Sequence, residues 1–116
     1  MNPTRIQVWV ALEPIQCLGN SWERDWIDAH GGDYAASTAY PSSSPWTPGL
    51  APGELEIIRN YYARQGVTVF AAEKVPAQLD VTADCSLEAG YTLYLLVRRE
   101  DVPRMVGFGY REESPG

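Results

Sequence analysis

Asp25, Asp28, His30 and Asp33 fall within nine residues of one another, and carboxylate oxygens beside one imidazole suit a divalent cation such as zinc or manganese. Their spacing matches no established ligand motif, since the chain has no HExxH, no EF-hand loop and no CxxC pair. The simpler reading of the same residues is a solvated helix end, with acids and a polar histidine facing water. Cys17 is the second candidate for chemistry. It lies just ahead of a helix start predicted at Asn20, where the positive end of the helix dipole favours a thiolate. His30 is the only histidine, so it would be the base, with Asp28 or Asp33 to orient it. A helix of ten residues is about 15 Å long, which sets Cys17 and His30 apart. The sulfur has two other fates, burial as a small hydrophobe or a bridge to Cys85. A bridge would close a loop of roughly 70 residues and contribute roughly 4 kcal/mol.

The aromatic residues are a third candidate group: four Trp, seven Tyr and two Phe. Trp9 falls on the otherwise polar side of its segment, while Tyr40 and Trp46 fall in a proline-rich stretch. These three are the candidate binding residues, because exposed Trp and Tyr give large, rigid contact area. Trp26, Tyr62, Phe70 and Tyr91 are expected in the core. No phosphate cradle is legible: Gly107-x-Gly109 follows a predicted helix instead of opening one, and the only lysine, Lys74, has no P-loop around it. Nothing selects a catalytic pair among the fifteen carboxylates. Ser42 to Ser44 lack a GxSxG context and read as loop solvation. No cofactor is implied.

Fifteen acids against nine bases give a net charge of −6. Such a field repels nucleic-acid phosphates and anionic lipid, which call for a basic face. Arg98, Arg99, Arg104 and Arg111 gather late in the chain, but Glu100, Asp101, Glu112 and Glu113 neutralise them locally. A partner with a basic surface remains compatible with this charge. The apolar run from Ile6 to Leu12 is too short for a signal segment, and no stretch approaches the roughly 18 apolar residues of a membrane helix. The expected location is the cytoplasm, where the two cysteines would usually be reduced.

The elements that must position these residues follow from periodicity and punctuation. Ile6, Val8, Val10 and Leu12 alternate with Arg5, Gln7, Trp9 and Ala11 and predict a strand with one buried face, ended by Pro14. Asn20 with Glu23 three residues on predicts a capping-box start to a helix, with Trp22 and Trp26 on one side and His30-Gly31-Gly32 as its stop. Prolines at 41, 45, 48 and 52 make residues 35–53 an expected irregular loop, a candidate contact surface pinned to the body by Trp46.

Glu54 to Gln65 predicts a helix. Its acids suit the amino end, Arg64 suits the carboxyl end, and Leu55, Ile58 and Tyr62 form the buried stripe. Val67 to Ala72 predicts a strand, Ala77 to Ala83 a weak one, and Tyr91 to Val97 a central strand covered on both faces. Asp101 caps a short helix with Pro103 in its first turn, and residues 112–116 are expected to fray.

The order predicts one α+β domain spanning residues 1–116, a two-layer sandwich with a three- to four-stranded sheet and helices mainly on one face. The expected function is that of a small acidic, non-catalytic protein-interaction domain, of inhibitor, immunity or regulatory-subunit type, acting as monomer or homodimer through an aromatic and carboxylate surface. Its rival is a small thiol- or metal-dependent enzyme centred on Cys17, His30 and the nearby aspartates.

Overall fold

The computed structural model describes residues 6–77 and 83–116. Strand β1, Gln7–Leu12, buries Val8 and Val10, as its alternation requires. It lies inside a four-stranded antiparallel sheet with β2 (Ala71–Pro76), β3 (Tyr91–Arg98) and β4 (Arg111–Glu112), in the order β2-β3-β1-β4. The register sets Val8 opposite Val97, Val10 opposite Leu95 and Leu12 opposite Leu93. These side chains therefore share one face. Against that face pack α1 (Ser21–Ala29), α2 (Tyr34–Ala39), α3 (Glu54–Arg64) and α4 (Val102–Gly107), which contribute Trp22 and Ile27, Ala36, Ile58 and Tyr62, and Met105 to a single buried cluster. The fold is an α+β sandwich.

Several elements differ from expectation, each for a local reason. The helix α2 occupies the start of what read as an irregular 35–53 loop. Asp33 caps it by accepting the Ala36 N–H at 3.0 Å, and proline is absent until Pro41, before which Tyr40 is already extended. The second strand is Ala71–Pro76 rather than Val67 to Ala72. Val67 and Val69 do alternate into the core, but in β2 the inward positions are Ala72 and Lys74, opposite Leu95 and Leu93, so the alternation changes phase ahead of β2 and the ladder pairs only from Ala71 onward. The Val67 and Val69 phase leaves Phe70 outward. It is 37% exposed, not core, and its ring lies under the Arg98 guanidinium at 5.6 Å.

The expected weak strand from Ala77 to Ala83 lies largely outside the described residues. In β3, Leu93, Leu95 and Val97 are fully buried against the helices, but on the other face Thr92 and Leu96 are only half-buried. The tail is not frayed at its start. Glu112 pairs with Val10, and the Glu113 N–H donates to Trp9 O at 3.1 Å. Arg111 anchors this edge by forking onto Glu13, with Nη2 to Oε1 at 2.8 Å.

Leu95 is fully buried at the centre of the sheet. Leu95→Ala is expected to lower the unfolding free energy by about 3 kcal/mol, measured by urea titration. A loss under about 1 kcal/mol would place that side chain outside the main core.

Candidate functional site

Three charged residues leave water in this fold because their positions in the elements force them inward. In β2, Lys74 pairs with Leu93, so strand periodicity aims its side chain at the helices, and it is 5% exposed. Glu54 stands four residues before Ile58 and eight before Tyr62, on the buried stripe of α3. Glu23 stands four before Ile27 on the buried side of α1. Each of these two residues is 5% exposed.

Their partners are specific. Lys74 Nζ donates to Ser43 Oγ and to Ser44 O, both at 2.7 Å, and lies 4.8 Å from the centroid of the Tyr91 ring. Glu54 Oε2 accepts the Tyr40 hydroxyl at 2.9 Å, and Oε1 takes a longer bond from the Ala51 N–H at 3.4 Å. Glu23 Oε1 accepts both the backbone N–H of Asn20 at 3.0 Å and its Nδ2 at 2.7 Å, completing the capping box. Among the described residues the second oxygen of Glu23 takes no hydrogen bond, and no carboxylate comes within 4.0 Å of Lys74 Nζ.

Glu23, Glu54, Lys74 and Tyr91 line a cleft of about 360 Å³. Its walls are Ser42, Ser43, Pro45 and Trp46 from the loop, and Ile15 to Leu18 with Ala83 and Ala89 from two further segments. Trp46 stands in this wall with 62% of its surface exposed. It does not pin the loop as expected; Lys74 does.

Burial dominates the electrostatics. Desolvation raises the Glu23 carboxyl above its ordinary value, and the nearby Glu54 charge raises it further against the pull of the Asn20 bonds. Desolvation likewise raises Glu54, opposed by Tyr40, Ala51 and the Lys74 charge. The Lys74 ammonium is pushed down by burial and partly restored by Glu54. Tyr40 and Tyr91 are both raised, first by burial and then by the carboxylate charges. The ionised cleft thus holds two carboxylates against one ammonium.

The rim is tied by a disulfide, Cys17–Cys85, with a Cα–Cα distance of 5.1 Å. Cys17 and Leu18 both take left-handed backbone angles there, a conformation disfavoured for side chains of this size. The flanking chain is held by Ala89 N–H to Pro14 O at 2.7 Å, Gln16 N–H to Leu87 O at 3.0 Å, and the Asn20 side chain, which bonds both backbone groups of Ile15.

The residues expected to carry chemistry are dispersed. The Cys17 sulfur is bonded to Cys85, so it is not a thiol, and His30 lies at the far end of α1. His30 stacks on Trp26 at 3.8 Å, with Nδ1 2.8 Å from Trp26 O. Asp25 pairs with Arg64, Asp28 lies 3.8 Å from Arg24, and Asp33 caps α2. Among the described residues no three His, Cys, Asp or Glu side chains gather as metal ligands. Of the aromatic candidates, Trp46 lines the cleft. Tyr40 is buried and serves Glu54 rather than offering its ring to a partner. Trp9 is half-buried and pairs with Leu96 on the sheet face away from the helices, so it shares no surface with Trp46. Compared with family models, with curated proteins and with solved structures, the chain matches none.

A carboxyl whose folded pKa exceeds its unfolded one binds its proton more tightly in the folded state. It therefore favours folding below the unfolded value, near 4.5, and that contribution is lost as pH rises through the folded value. Asp84 and Glu113 are lowered and act in the opposite sense, but only at pH below their ordinary values. Lys74 is lowered and recovers stability only as pH rises through its own folded value, so the urea midpoint is expected to fall as pH rises above about 5, through the folded values of the two carboxyls. The fall should shrink in the Glu23→Gln, Glu54→Gln double variant. An unchanged slope in that folded variant would remove these two groups as its cause.

Proposed function

We propose that this chain is a small acidic, non-catalytic protein-interaction domain, of inhibitor, immunity or regulatory-subunit kind, that docks on the basic surface of a partner through Trp46 and the cleft beside it. The observation that carries this reading is the exposed Trp46 indole in the wall of a cleft with buried carboxylates. An aromatic anchor beside a desolvated charged pocket is the arrangement that concentrates binding energy at protein interfaces. The net charge of −6 supports attraction of a basic partner at long range, and argues against nucleic acid and anionic lipid. Among the described residues no helix is long and apolar enough to cross a membrane.

The bonded Cys17 and the distant His30 lend no support to the thiol-enzyme reading, nor do the separated aspartates to a metal centre. A cytoplasmic location fits this reading with the Cys17–Cys85 bridge opened, whereas the closed bridge favours an oxidising compartment. The domain acts as a monomer or a homodimer.

Trp46→Ala removes the anchor without touching the core. Against a partner captured by the immobilised protein and released by salt, the variant is expected to bind at least about tenfold more weakly, read by surface plasmon resonance, with an unchanged thermal midpoint. Equal binding by the folded variant would take this loop out of the interface.

A further inference from the structure

Two carboxylates and one ammonium leave the ionised cleft with an excess negative charge, and among the described residues no further cation lines it. Lys74 directs its short hydrogen bonds to Ser43 and Ser44. The arginines whose contacts are described serve surface groups elsewhere, as Arg24 does with Asp28, Arg64 with Asp25 and Arg111 with Glu13. Glu23 has only 5% of its surface exposed, yet only its Oε1 is hydrogen-bonded among the described residues. The one buried side-chain polar atom without a partner among the described residues is Trp22 Nε1, so the second Glu23 oxygen keeps contact with the cleft's solvent and is free to accept a donor arriving from outside.

We infer that the cleft receives one arginine side chain of the partner, with its guanidinium donating to Glu23 and its flat face lying against Trp46. This rests on the interaction-domain reading and names the group recognised.

Four features select arginine. A guanidinium carries several donors in a planar fork, which suits a carboxylate with an open oxygen. It also stacks on aromatic faces, and the exposed Trp46 indole stands in the cleft wall, whereas the Tyr91 ring already carries the Lys74 ammonium. A volume of about 360 Å³ lies at the small end of ligand pockets, which suits one long side chain inserted end-on. Glu54, whose oxygens are already held by Tyr40 and Ala51, adds its field without being the primary contact. Lys74 opposes an incoming cation, but it is drawn to the Ser43 and Ser44 side and offset by Glu54.

N-acetyl-arginine amide is the probe, titrated into the 15N-labelled protein while the Trp46 indole N–H signal is followed by NMR. N-acetyl-citrulline amide, of nearly the same shape but uncharged, and N-acetyl-glutamate amide are the controls. The arginine probe is expected to shift the Trp46 signal saturably, at least about tenfold more tightly than citrulline, with a comparable loss in Glu23→Gln. Equal binding of citrulline by the wild-type protein would overturn the inference whether or not the variant folds. Tighter binding of the glutamate probe would also overturn it, making Lys74 the anchor. A partner captured in a Trp46-dependent way by a protein blind to the arginine probe would sink this inference and leave the interaction reading standing. Specific arginine binding without any protein partner would do the reverse.

Discussion

The ammonium of Lys74 leaves water because strand pairing requires it. Its place opposite Leu93 is set by the β2–β3 register, and a slip of one residue would expose Ala72 and Lys74 together and turn Glu73 inward. A buried ammonium needs acceptors, and the nearest come from the 42–46 loop, at Ser43 and Ser44. The loop is therefore positioned by a charge rather than by an aromatic plug, and Trp46 is left outside. Glu54 lowers the electrostatic penalty for Lys74, and Tyr40 in turn holds Glu54. One register thus fixes a lysine, a loop, a carboxylate and the tyrosine that ends α2.

Such a site opposes stability more than it supports it. Glu23, Glu54 and Lys74 are each shifted toward their neutral forms by burial, the direction in which ionisation disfavours folding. Compensation comes from the apolar cluster and from the bridge. A crosslink between residues 68 apart contributes about 4 kcal/mol in the chain-entropy description. The bridge also holds the cleft's rim through two consecutive left-handed residues, Cys17 and Leu18, a conformation that local propensity alone would not favour.

Much of the architecture was legible because it rests on local patterns. The Asn20–Glu23 box, the limits of α3 and the alternation of β1 all appear in the structure as sequence pattern implies. What was not legible depended on long-range pairing. The edge strand β4 pairs with Val10 and Ala11 and is flanked by the Arg111–Glu13 fork, contacts between residues far apart in sequence. The cleft was missed for a related reason. Glu23 and Glu54 each satisfy a simple local role, a cap and a dipole partner, which conceals that both also stand on buried stripes ahead of Ile27 and Ile58. The spacing of Glu54, Ile58 and Tyr62 was the available signal. Lys74 gave less, since its inward direction follows only once β3 is known to be its partner. The Asp25 to Asp33 group looked chemical because of proximity in sequence, but the helix end directs its members to different partners.

Burial holds the Glu23 and Glu54 carboxyls above their ordinary range in one shared cleft, and the Glu54 charge raises Glu23 further. The direct test is a 13C NMR titration of the side-chain carboxyl carbons in the folded protein, with Glu23→Gln and Glu54→Gln to assign the two signals. Both carbons are expected to titrate above the ordinary value of 4.5, and removing the Glu54 charge is expected to lower the Glu23 midpoint. Two carboxyls titrating independently near 4.5 would contradict this, placing both side chains in water and leaving no buried site beside Trp46.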